Sequence, residues 1–211
     1  MADRYALVVD ATNSNIKEIP AADRLVADNL LLSGATPTLT IGDAGEEDTK
    51  IVFDGAAQDF HIGLDDTDDD LKIGLGSAVG TTPAISIDEN QDVVANQEFR
   101  AVSYNDTYVS VASGASPAIN CETGNYFKHV LDQNATFTFS NPPTSGTGYS
   151  FVLHLVQDST SRTVTWPSEV DWAAATAPTI STGSGDDDFF VFATSDGGTI
   201  WYGFTAGQAM A

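Results

Sequence analysis

A ladder of short apolar segments cut by glycine and aspartate constrains this chain more than any other feature. Between residues 38 and 93 it reads TLTIGD, IVFDG, HIGLDD, KIGLGS and AISIDEN. The segment ends Ile41, Phe53, Leu64, Leu75 and Ile87 are each followed by Gly or Asp and recur about every 11 or 12 residues. A fixed period of this kind is a weak internal repeat, and a repeat decides architecture before any single residue does. Each rung supplies four or five residues of alternating apolar and polar character, the pattern of a short strand with one buried face. The turns between rungs, DAGEED, DGAAQD, DDTDDD and GSAVGTT, hold almost nothing that packs as a covering layer. No helix-period segment follows a rung, which argues against βαβ units. The buried face must then be met by another copy of the ladder. The arrangement expected is a parallel homotrimeric β shaft with Ile41, Phe53, Leu64, Leu75 and Ile87 in the trimer core; a single-chain β-solenoid or sandwich is the alternative.

Ahead of the ladder, RYALVVD and IKEIP are strand candidates, the second closed by Pro20, whose ring disfavours helix in the residue before it. They form either an N-terminal attachment arm, residues 1–37, or an addition to the shaft. Residues 21–33, AADRLVADNLLLS, are the best helix candidate, although LLLSG equally begins a strand. The texture changes near Gln97, so the shaft is assigned to residues 38–97 and a C-terminal β-sandwich to residues 98–211. EFRAVSYNDTYVSVASGA, with Phe99, Val102, Tyr104, Tyr108, Val109 and Val111 alternating, leads into that domain. Its strand candidates are YFKHVL, ATFTFS, YSFVLHLVQD, RTVTWP, DDFFVFATS and TIWYGFTAG. Alternation places Phe137 and Phe139 on one face, and Phe151, Leu153 and Leu155 on one face with His154 opposite, at solvent. Asp196, Gly197 and Gly198 suit a tight hairpin. The fold class expected is all-β: an elongated homotrimeric shaft of short repeated strands, then a β-sandwich knob.

Charge narrows the function. Thirty Asp and Glu against eight Lys and Arg give a net charge of -22. Nucleic acid and anionic membranes would be repelled, since phosphate binding needs clustered cations that are missing here. The acidity reads as solubility or as a cation-loaded surface. In LDDTDDDL, five aspartates between Leu64 and Leu71 invite calcium. The EF-hand loop requires a Glu at its twelfth position, which DDTDDDLKIGLG does not supply, so a solvated acidic turn is expected. Cys121 is the only cysteine and is expected to be a small buried hydrophobe, although His129 lies eight residues away. MADRYALVVD has too short an apolar run for a secretory leader, and no stretch nears the roughly 20 apolar residues of a spanning helix. The chain is therefore expected to be made in a cytoplasm and not to leave by the secretory route.

His61, His129 and His154 fall in three different strand candidates with no zinc spacing, and neither a nucleophile elbow nor a phosphate loop is present. The expectation is a protein with no enzymatic activity, no metal and no cofactor. Exposed aromatics are the usual platforms for sugars and protein anchors. TIWYGF alternates, so one of Trp201 and Tyr202 must leave the core; with Trp172 in an irregular stretch, Trp172, Trp201 and Tyr202 are the candidate binding residues.

The run GNYFKHVLDQNATFTFSNPPTSGTGYSFVLHLVQDSTSRTVTWPSEVDW, followed by APTI and FFVFATSDGGTIWYGFTAGQ, resembles the C-terminal domain of tail-fibre and other virion surface proteins of tailed bacteriophages, marine ones especially. FHIGLDDTDDDLKIGLGSAVGTTPAISID is similar to shaft segments of such proteins, and RYALVVD with IKEIP to their amino-terminal openings. The resemblance spans most of the chain in texture and phrase. It implies a virion-surface component, usually trimeric, that projects from the tail or decorates the capsid. The function expected is a trimeric fibre attached by its N-terminus and presenting a knob for host adhesion. The alternatives are a capsid decoration or cement protein and, from another class, a carbohydrate-binding module with or without calcium. Expected partners are two further copies, other virion proteins of the tail or capsid, and a host surface glycan or protein.

Overall fold

A computed structural model describes residues 7–10, 15–18 and 29–210. It is nearly all β and divides into two compact units, Met1–Arg100 and Ala101–Ala211.

In the first unit, β1 (Leu7–Asp10) and β2 (Asn15–Glu18) pair antiparallel with each other. Five further strands form an antiparallel meander in sequence order: β3 (Thr49–Phe53), β4 (Phe60–Asp65), β5 (Asp70–Leu75), β6 (Pro83–Ile87) and β7 (Val93–Ala95). Their register lines up like residues. Ile51, Ile62, Ile73 and Ile85 form one cross-strand row; Phe53, Phe60 and Leu75 form a second; Leu64, Leu71, Ile87 and Val93 form a third. The rows are two residues apart along each strand, so all three lie on one face of the sheet.

The opposite face carries His61, Gly63, Asp65, Lys72 and Gly74, and the segment after β5 folds back over it with Val79 buried. That crossing explains the repeated IGL. A Cβ on Gly63 would stand 2.9 Å from Val79 Cγ2 and 2.5 Å from the Thr49 carbonyl oxygen. One on Gly74 would stand 2.6 Å from the Thr82 carbonyl oxygen and 2.9 Å from the His61 ring. Isoleucine and leucine therefore face one way, while glycine makes room on the other.

Two expectations for this unit need correction. The first rung, residues 38–41, forms no strand: among the described residues β3 is the edge of the sheet. The helix expected at residues 21–33 falls at 21–28 outside the described residues, and residues 29–33 are not helical.

The second unit contains β8 (Tyr108–Ser110), β9 (Ala118–Asn120), β10 (Tyr126–Leu131), β11 (Ala135–Thr136), β12 (Thr138–Ser140), β13 (Tyr149–Gln157), β14 (Val164–Thr165), β15 (Val170–Trp172), β16 (Asp187–Thr194) and β17 (Trp201–Met210). One sheet has the order β15-β17-β16-β13-β10-β8, and the short pairs β12-β9 and β11-β14 make a second layer. The chain alternates between layers, from β8 to β9, to β10, to β11 and β12, to β13 and to β14. Each of these returns lies parallel to the previous visit. Only β16 and β17 run antiparallel to their neighbours β13 and β16. Period-2 alternation reads the same in parallel and antiparallel strands, so the sequence pattern does not carry this winding.

Between the layers lies an aromatic core in which Phe127, Phe137, Phe151, Phe190, Phe192 and Trp201 are all buried. Phe151 stacks on Phe192 at 5.1 Å and meets Trp201 edge-on at 5.4 Å, geometries that add to the burial of the rings. The third acid of the DDD run, Asp188, is also buried and is matched by donors: the Ser181 amide and hydroxyl and the Ala209 amide. At the hairpin tip, Gly197 and Gly198 have φ of 71° and 76°, and the Ile200 amide donates to the Asp196 carboxylate. Upstream, Phe99, Val102 and Tyr104 are exposed and in no strand; only Tyr108–Ser110 of that alternating run joins the sheet. Alternation allows a strand, but a partner edge makes one.

Phe190→Ala is expected to lower the unfolding free energy of this unit by about 3–5 kcal/mol. Val102→Ala, at a fully exposed site, should change it by less than about 0.5 kcal/mol. Urea titration followed by tryptophan fluorescence checks both.

Candidate assembly and binding surfaces

Strand alternation in the first unit puts the three apolar rows on one face, with Val52 and Val94 on the other, and nothing among the described residues of that unit covers the rows. Phe53 is 60 % exposed, Phe60 52 %, and Leu64 and Leu75 42 % each; Ile87 is half-buried. Ile41, outside any strand, is also exposed. Thr49 is the one polar side chain in the three rows. A groove of about 720 Å³ lies at one end of the face, lined in part by Phe60, Ile73, Leu75 and Pro83. A contiguous apolar face across five strands is larger than monomeric soluble proteins ordinarily leave in water.

The polar face is built around Lys72. Its amine donates to Asp65 Oδ2 at 2.7 Å and to Asp68, with Lys72 and Asp65 side chains under a tenth exposed. The Thr67 amide donates to Asp65 Oδ1. The hydrogen bond from Lys72 holds the Asp65 carboxyl below the usual carboxylate range, against the opposing effect of burial. Burial alone would lower the Lys72 amine, but the two carboxylates hold it above its ordinary value. An ammonium thus stands at the centre of the acidic turn, where the calcium reading would put an ion. His61, also buried here, donates from Nδ1 to the Gly76 carbonyl at 3.0 Å.

Of the three candidate binding residues in the second unit, two lie in the core. Trp201 is 2 % exposed and Trp172 8 %. Trp172 ends strand β15, and its ring lies over Gly203, where a Cβ would stand 2.8 Å from it. A stretch that reads as irregular is therefore the edge of the large sheet. Tyr202 is the ring that leaves the core, about half exposed, beside Phe204 and the shallow groove of about 360 Å³ over Ala173, Ala174 and Ala175.

His154 lies on the face opposite Phe151, Leu153 and Leu155, but the expectation that it meets solvent is corrected. It is buried beneath Phe189, whose ring stacks on the imidazole at 4.3 Å. With its proton on Nε2 it donates to Asp187 Oδ1 at 2.9 Å, and Nδ1 accepts from the Tyr126 hydroxyl at 3.3 Å. Burial pushes the Tyr126 phenol up. Cys121 is buried, and desolvation pushes its thiol to about 11, so it carries no thiolate at neutral pH. His129 packs edge-on against Phe137, and burial lowers its pKa.

A surface that the sequence reading did not single out is the outer face of the six-stranded sheet. Tyr108 beside Tyr126 on one flank, Val152 and Val191 in the middle, and Tyr202 with Phe204 on the other flank share that face. Its signal is the alternate residues of YFKHVL and IWYGF, which assign faces without saying which face a second layer covers. Comparison of the chain with protein-family models, curated proteins and solved structures finds no match.

Asp65 contributes stability that is complete above the unfolded carboxyl pKa of about 3.9 and is lost as pH falls through its lower folded value. This carboxylate should therefore contribute a loss of wild-type thermal stability as pH falls below about 4. Lys72→Met should melt lower than wild type at pH 7, with the gap closing in acid. Because Lys72 occupies the turn, millimolar calcium should leave the melting temperature unchanged; a calcium-dependent rise would contradict that role. Scanning calorimetry reads all three.

Proposed function

We propose that the chain is a non-enzymatic structural component of a tailed-phage virion. In this reading it is a homotrimeric surface fibre, held to the particle by its N-terminal segment and presenting its C-terminal unit for host adhesion. Two supports of different kind stand behind it. The virion context rests on the resemblance of the ladder and the C-terminal run to phage surface proteins. Self-association rests on the uncovered face of β3 to β7, the observation that carries the proposal. Three such faces turned toward a common axis would bury the isoleucine row and its two flanking rows together, leaving the Lys72 side outward to water. Ile41, Phe53, Leu64, Leu75 and Ile87 would belong to that trimer core, with Phe60, Ile62, Leu71 and Ile73 added. Burial of apolar area would supply the driving force at about 25 cal/mol per Å². Strong negative charge on the outer surfaces would discourage further, unspecific association of trimers.

Light scattering after gel filtration is expected to give three times the 22.2 kDa chain mass. Ile62→Asp and Ile73→Asp, each placing a charge in the central row, should yield monomers or insoluble protein, whereas Val102→Asp should remain trimeric. A monomeric wild type would rule the fibre out and leave the carbohydrate-binding module standing. Copy number on particles separates the two virion roles: a few trimers for a tail fibre, tens to hundreds for capsid decoration.

A further inference from the structure

The outer face of the six-stranded sheet is as unpartnered as the face in the first unit, but it differs in carrying charge at defined places. On the flank made by β8 and β10 lie Tyr108, Tyr126 and Lys128; on the flank made by β15 and β17 lie Asp171, Tyr202 and Phe204. Tyr108, Tyr202 and Phe204 are each about half exposed. Residues 101–211 contain only two Lys or Arg, Lys128 and Arg162. Arg162 is held by Asp158 at 2.8 Å, whereas no carboxylate of the described residues lies within ion-pair distance of Lys128. Asp171 is exposed and likewise has no cationic partner among them. One sheet face thus presents an unpaired cation toward one edge, an unpaired anion at the other, and aromatic rings beside both.

A surface with opposite charges on its two flanks is complementary to itself when one copy's left side meets the next copy's right. A rotational ring provides that contact, because each copy uses two different flanks and the ring closes on itself. We propose that this face is a second contact between copies of the chain, in which the Lys128 flank of one copy packs against the Asp171 flank of the next. The contact pairs Lys128 with Asp171 and shields Tyr108, Tyr202 and Phe204 from water. The proposal rests on the trimer reading above and extends it. It takes Tyr202 from the list of free host-binding residues and leaves the loops of the C-terminal unit as the surface available to a receptor. Complementary charge at a contact of this kind sets register and partner choice more than raw affinity.

The test uses the full-length chain. Wild type treated with a zero-length carbodiimide cross-linker, which joins an amine to a carboxylate in direct contact, should give covalent trimers on a denaturing gel. Peptide mapping should find Lys128 joined to Asp171 of another copy. Lys128→Asp should abolish that cross-link and, because a ring of three loses a charge pair at each of its contacts, raise the concentration at which trimers dissociate by at least about tenfold. Lys128→Asp combined with Asp171→Lys should restore the original midpoint. A trimeric wild type in which Lys128 forms no inter-chain cross-link, and in which Lys128→Asp leaves the midpoint unchanged, overturns this inference while the shaft contact stands. Covalent dimers without trimers would mean two-fold pairing and would also overturn it. A monomeric wild type would bring down the fibre reading itself, a different result from either.

Discussion

The first unit depends on one constraint: a thin antiparallel sheet has two faces, and the described residues of this unit cover only one of them. The covered face is the polar one. Val79 and the segment around it lie over Gly63 and Gly74, and the Lys72 ammonium neutralises Asp65 and Asp68 beneath. Charged groups in a partly buried place are tolerated because they are paired and hydrogen-bonded. The other face holds the three apolar rows and has no such cover among the described residues of its unit. A meander with its apolar side in water forgoes burial that would help to offset its chain entropy. Association of copies is the simplest way to supply what the sequence leaves out.

The second unit solves the same problem internally. Its chain passes back and forth between two layers, so the inner face of the large sheet is closed by β9, β11, β12 and β14, and the aromatic rings of both layers interlock. It therefore has a core of its own, while the first unit has half of one. In the proposed fibre, one unit would be completed by assembly and the other would be a preformed body for presentation. The outer face of its sheet, with Lys128 toward one edge and Asp171 at the other, is where the second unit would meet a neighbour in the proposed assembly.

How far the sequence revealed this depends on the element. The ladder was legible because its signal is redundant: apolar residues alternate, rung ends recur, and IGL is repeated with the register that pairs Ile62 with Ile73. The rung at residues 38–41 has the same pattern but no strand to pair with, and composition cannot report a missing neighbour. Parallel winding in the second unit was invisible because side-chain alternation is indifferent to strand direction. His154 was placed on the correct face and still misjudged, since a stacked Phe189 and an aspartate from the next strand cover it. Trp172 was read as part of an irregular stretch because only three residues around it join the sheet edge. On the uncovered face the rung ends Phe53, Leu64, Leu75 and Ile87 are legible in the sequence; the structure leaves Ile41 outside any strand and adds Phe60, Ile62, Leu71 and Ile73 to the same rows.

The most direct test of the account is the solvent exposure of that bare face in the intact protein, measured by hydroxyl-radical footprinting with mass spectrometry. Phe60, Ile62, Leu64 and Ile73 should resist oxidation about as well as the core residue Phe190, while Phe99 and Val102 react freely. If instead those four label as readily as Phe99 and Val102, no second copy covers the sheet, and the account fails at its root.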